Sequence, residues 1–222
     1  MKEVPKLDIS QFVSLKKMET GEFCDNLHMA TQSIAHFELY CQFHFYELLE
    51  VATPQALRLE RVGINTNNRI VYEAHIVAFM NNLHSMLDSF PYVLNLFIPK
   101  FDVNSKTVGW NKSFIKRYKE FDFYHPLLSF FLDSDFNKVK GYVNNIKHKH
   151  LIRIENLDGC LEFETYKCNF PYLCEGNIDY SIAEVKRDNV IIFIQGCFNR
   201  LIDKFFSLCK MILEYKKTKL AL

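Results

Sequence analysis

Between Cys24 and Glu50 the chain reads CDNLHMATQSIAHFELYCQFHFYELLE, with neither glycine nor proline. Apolar side chains recur every three to four positions, the period that lines one face of an α-helix. A strand has a period of two and is seldom a third of this length. One long helix is therefore expected over 24–50. Its apolar stripe has to be covered by other elements, so the rest of the chain must supply partners.

A second such run follows. Pro54 and the turn-like GINTNN at 63–68 close the first helix and begin a connector. From about Arg69 to Ile98, residues Ile76, Phe79, Met80, Leu83, Leu87, Phe90, Leu94 and Phe97 share a stripe, with Asn81 and Asp88 opposite. Pro91 should kink this helix or end it early. Residues 99–110 read as a loop, and 111–120 and 124–132 as short helices, the second with Pro126 in its first turn. Asp133 or Ser134 suits the cap of a helix over about 135–149. Then LIRIE and CLEFETY flank NLDG, an Asp-Gly hairpin signal. Residues 168–183 read as irregular, and a last long helix is expected over 184–219, with lysines in its final turns. The fold class expected is mainly α: an antiparallel helical bundle with a small β-hairpin before the last long helix. It makes a single domain over 1–222, with the bundle core at about 24–150, the hairpin and irregular segment at 151–183, and the final helix.

Composition narrows the class. Seven glycines and six prolines leave too little turn material for a barrel or sandwich of many short strands. A hydrophobic share of 49% supports a sizeable core rather than disorder. A net charge of +1 gives no global attraction to nucleic acid or membranes, so any attraction must be local. The seven cysteines form no CxxC pair, which reads as reduced thiols of a cytoplasmic protein. The start, MKEVPKLDIS, has no apolar core of a signal peptide. The run IVAFMNNLHSMLDSFPYVLNLFI carries Asn, His and Asp in its middle, which argues for a buried helix and not a membrane span.

Charge concentrates in one place. Lys138 to Arg153 reads KVKGYVNNIKHKHLIR, with five Lys or Arg, two His, two adjacent Asn and no acid. On a helix, Phe136, Val139, Val143 and Ile146 form the buried stripe. Lys140, Asn144, Lys147 and His148 share another face, flanked by Asn145 and Lys149, with His150 just past the helix end. An imidazole beside amides and ammonium groups suits RNA cleavage by the ribose 2′-hydroxyl. A neutral imidazole moves the proton, the ammonium groups hold the phosphate, and no metal is needed. The same run also reads as a solvated basic face whose histidines sit at a helix C-terminus. Lys138, Lys140, Lys149 and Arg153 are the phosphate-binding candidates. His84 and Asp88, four apart on the second long helix, are secondary candidates facing the 144–148 face, with Tyr142. His28, His36 and His44 recur every eight residues, which drifts about 80° round a helix and excludes a metal stripe. No Gly-rich phosphate loop, GxSxG or HExxH is present, and no metal or other cofactor is expected.

The stretch Tyr142-Val143-Asn144-Asn145-Ile146-Lys147-His148, with His150, resembles the motif of the HEPN superfamily, all-α bundles that include metal-independent ribonucleases of toxin–antitoxin and phage-defence systems. Their motif is an Arg, then a polar residue, then a His five to seven positions after the Arg, near the end of a late bundle helix. Asn144 stands at the Arg position, Asn145 at the polar position, and His150 six positions after Asn144. The resemblance implies a homodimer, an RNA substrate, an antitoxin or defence-system partner protein, and catalysis by His148 and His150 with Asn144, Asn145 and Lys147. The absent Arg removes the fixed charge fork that grips a phosphate. It motivates a second reading, a catalytically inactive module that binds RNA, a nucleotide or a partner protein. A third is a purely structural subunit.

Overall fold

Helix formation in the first half follows the apolar period. The computed structural model describes residues 8–61 and 67–221. Helix α1 (Gln11–Thr20) precedes α2 (Asp25–Val51), α3 (Pro54–Arg61), α4 (Asn67–Asp88) and α5 (Phe90–Phe97). The eight residues of the predicted stripe, Ile76 to Phe97, are all fully buried. The pairs Cys41–Phe79 and His44–His75 run in opposite sequence directions, so α2 and α4 pack antiparallel. The expected helix over 69–98 is two helices. Ser89 lies between them and Pro91 falls in the first turn of α5, where its missing N–H costs nothing. Pro54 likewise opens a helix, α3, instead of a connector. Residues 1–7 and 63–66, parts of the N-terminal and connector readings, lie outside the described residues.

The 99–110 loop is held from within. Asn95 accepts from the backbone N–H of Lys100 and Phe101 and donates to the Phe101 carbonyl, while Trp110 donates its indole N–H to Leu87 O at 2.8 Å. Helices α6 (Lys112–Lys116) and α7 (Tyr124–Phe131) lead to α8 (Ser134–His148), which Asp133 caps by accepting from the N–H groups of Asp135 and Phe136.

Strands β1 (Ile154–Leu157) and β2 (Cys160–Phe163) form the predicted hairpin, with Asp158 at φ 52 and Gly159 at φ 82. That is a two-residue turn with positive φ at both positions, the twist a tight hairpin needs. The expected irregular segment over 168–183 is instead a second hairpin, β3 (Tyr166–Cys174) with β4 (Asn177–Val185). Its turn, Glu175-Gly176, has positive φ at both residues as well. A short β5 (Asp188–Asn189) pairs with β2. The final helix, α9 (Val190–Leu220), therefore begins six residues later than 184, where the Asn189 side chain caps it by accepting from Ile192 N–H. Among the described residues the architecture is mainly α with two small antiparallel sheets, the β3–β4 hairpin packing on α8 and the β1-β2-β5 sheet on α9.

Aromatic rings fill the centre. Phe90 meets Phe12, Trp110 and Phe205, and Trp110 meets Phe136. Arg200 of α9 binds Asp135 at 2.6 Å and Lys204 binds Asp133, so α9 fixes the start of α8 from outside. Among the described residues no helix is long and apolar enough to cross a membrane.

Candidate functional site

Helix α8 carries the basic run, and its packing decides which of those residues can act. The stripe Phe136, Val139 and Val143 is fully buried and Ile146 partly so. The buried face is wider than the stripe. Tyr142 is fully buried too, edge-on to Phe163 and Tyr166, with a hydroxyl that finds no hydrogen-bond partner. Gly141 faces β3, where a Cβ would fall 2.2 Å from Cys168 Cβ. The missing side chain thus lets the helix and the strand touch. Asn145 closes the seam by donating to Gly141 O at 2.8 Å and Lys167 O at 3.0 Å. Burial pushes the Cys168 thiol up to about 11, against the pull of Lys138, so it stays protonated and unreactive there.

Beside this seam lies a cleft of about 700 Å³. Helix α8 provides one wall with Asn137, Lys140, Asn144, Asn145, His148 and Lys149. The second hairpin provides the other with Lys167, Asn169, Tyr180 and Ile182, and Phe131 also reaches the cleft. The strand period explains that wall. Asn169 pairs with Ile182 and Pro171 with Tyr180, and directly opposed residues share a face. The cleft is lined by three lysines and a histidine, and no Asp or Glu side chain is among its lining residues.

Of the sequence candidates, Lys140, Asn144, Asn145, His148 and Lys149 come together in the cleft. Asn144, His148 and Lys149 are exposed, whereas Asn145 is 6% exposed with its amide N–H groups engaged. Lys140 donates to Trp110 O at 3.3 Å. Burial pulls its pKa down, with Asp88 opposing. The others stand elsewhere. His150 sits past the helix end with Nδ1 3.0 Å from Leu151 O and 3.9 Å from Glu164. Lys138 is 3.9 Å from Asp135, and Arg153 is exposed beside the first hairpin, its backbone N–H bound by Glu164. Lys147 is exposed and is not among the cleft's lining residues.

On α4, His84 lies close enough to Lys147 and Lys140 to feel their charge. This histidine is buried, and its Nε2 has no hydrogen-bond partner. Burial lowers its pKa, Asp88 works the other way, and Lys147 and Lys140 lower it further. The pair His84 and Asp88 thus neighbours the basic face, with the imidazole held neutral in the helix interface. Among the described residues no group of three or more His, Cys, Asp or Glu is placed to hold a metal ion.

No protein-family model, curated protein or solved structure matches the chain.

The residues that sequence reasoning missed are those of the hairpin wall: Lys167, Asn169, Tyr180 and Ile182. The alternation in YKCNFPYLC and NIDYSIAEV around Glu-Gly was the signal available, and Pro171 within the first run masked it.

Proposed function

We propose that the chain is an RNA-directed protein whose cleft between α8 and the β3–β4 hairpin binds the phosphodiester backbone. One observation carries this reading: the cleft gathers Lys140, Lys149, Lys167 and His148, and no carboxylate lines it. The chain as a whole is nearly neutral, so this concentration is local and comes from two separate elements. Exposed Asn144 adds an amide that can donate to a phosphate oxygen. The helical order, with the motif residues in the last turns of a late helix, supports a HEPN-like ancestry. With it come a homodimer and a toxin or phage-defence role as parts of the same proposal. The exposed α2 side chains Leu39, Tyr40, Phe43 and Tyr46 are the surface such a dimer would cover.

Binding is favoured over turnover by the placement of the histidines. Cleavage through the 2′-hydroxyl needs a base and an acid at one phosphodiester. His148 lines the cleft and His150 does not, while Lys140 lies eight residues from His148, about 12 Å along the axis. Metal-independent endoribonuclease activity remains the second reading, carried by His148 standing among Asn144 and Lys149. Two assays separate the readings. Labelled RNA is titrated with the protein, and mixed RNA is incubated with it in EDTA beside a His148→Ala variant. Binding without cleavage is expected. Cleavage by the wild type but not the variant would establish the nuclease, and no binding to any RNA would overturn both.

A further inference from the structure

The hairpin wall gives the cleft something that phosphate binding does not need. Tyr180 is 45% exposed and Ile182 is 75% exposed, on the same face of β4 and both lining the cleft, where Phe131 and Cys168 accompany the cations and amides. Their neighbours Asp179 and Ser181 alternate to the other face, so an aromatic and an aliphatic side chain stand side by side on one face of the strand, and both reach the cleft. Neither side chain supplies a charge to a phosphate, and an apolar group left this exposed gains nothing beside water.

We propose that the cleft takes an unpaired RNA segment, with one nucleobase stacked on the ring of Tyr180 against Ile182 and the adjoining phosphates held by Lys149 and Lys167. This rests on the RNA-binding reading and adds its substrate class. In a duplex the base faces are already stacked on one another, and the surface offers only backbone and groove edges. A tyrosine platform has nothing to engage there. An unpaired base presents its π-face, and stacking on an aromatic side chain tolerates every sequence. The volume of about 700 Å³ falls within the roughly 300–1,000 Å³ of clefts that enclose small organic ligands. That fits a short unpaired stretch. Glu184 lies directly opposite Lys167 in the hairpin and partly offsets its charge, which leaves Lys149 as the stronger phosphate partner.

The test is fluorescence anisotropy with a labelled single-stranded RNA of about ten nucleotides, within the range of single-strand site sizes. An RNA duplex of the same length and inorganic polyphosphate serve as competitors. The wild type should prefer the single strand. Tyr180→Ala should weaken single-strand binding roughly 5- to 150-fold, the worth of one stacked base, while polyphosphate competes as before. Tyr180→Phe should keep the wild-type affinity. Lys149→Ala should weaken all three probes. Should Tyr180→Ala fail to fold, Tyr180→Leu retains apolar bulk without the ring and is expected to show the same loss. Equal binding of single strand and duplex, with Tyr180 variants unchanged, would overturn the stacking proposal and leave RNA binding standing. A wild type that binds none of the three probes would overturn both.

Discussion

Two adjacent asparagines on α8 have opposite fates. Asn145 spends both amide hydrogens on Gly141 O and Lys167 O, whereas Asn144 is exposed on the cleft wall. The sequence placed Asn144 on the polar face and Asn145 at its flank, because periodicity assigns a face but does not reveal that β3 would supply a carbonyl to one of them. Asn145→Ala should cost about 1–3 kcal/mol of stability by leaving the Lys167 carbonyl without its donor. Asn144→Ala should leave the denaturation midpoint unchanged and weaken RNA binding. Chemical denaturation and anisotropy on both variants check this pair. His84 makes a prediction about pH. Its folded pKa lies below the value of an unfolded histidine, chiefly through burial, with Lys147 and Lys140 adding and Asp88 opposing. As pH falls through about 6.5 the unfolded chain takes up a proton that the folded protein refuses. Stability is therefore full above that value and lost as pH falls toward the folded pKa. His44, also lowered by burial and by His75, adds to the same slope. His84→Leu should hold or raise stability at neutral pH, since it removes an unpartnered buried nitrogen, and should flatten the loss between pH 7.5 and 5. A slope identical to wild type in urea melts across that range would show that His84 is not the titrating group.

At the scale of elements, α8 was legible because its start and its stripe are both local signals: a capping aspartate and four apolar residues at helical spacing. The hairpin at 154–163 was legible for the same reason, through Asp-Gly. The β3–β4 hairpin was not. Pro171 normally demotes a strand, and here the strand tolerates it beside only one neighbour strand in a two-stranded sheet. The docking of that hairpin onto α8 is invisible to any local pattern, because it depends on Gly141 and Cys168 lying opposite each other. Gly141→Ala should push β3 away and cost about 1–3 kcal/mol, the usual penalty of overpacking. Cys168→Gly in that background removes the atom that the new methyl meets and should recover part of the loss. A double-mutant cycle in denaturant reads this coupling. Purely additive effects would mean that the two residues do not meet. The same Gly141→Ala variant should bind RNA more weakly, since both walls of the cleft depend on the seam.

For the whole molecule, where charge sits matters more than how much of it there is. The sequence reading centred the functional face on α8 and the residues just past it, with His84 and Asp88 as secondary candidates from the second long helix, and counted His150, Lys147, Lys138 and Arg153 into it. Folding sends those four to other surfaces and brings in Lys167 from a strand that begins seventeen residues after Lys149. A site assembled from two elements in this way carries a definite salt signature. If three lysine–phosphate contacts form, single-stranded binding should fall with a log–log slope of about −2. Between 50 and 200 mM salt that amounts to roughly a 15-fold loss of affinity. Lys149→Ala should lower the slope by about 0.7, and Lys167→Ala by less, because Glu184 faces it. Lys210→Glu makes a larger change in net charge outside the cleft lining, and should leave the slope near its wild-type value. Binding that tracked net charge equally in all three variants would assign the affinity to diffuse attraction. A slope that responds only to the cleft lysines requires the phosphates to lie where α8 and the second hairpin meet.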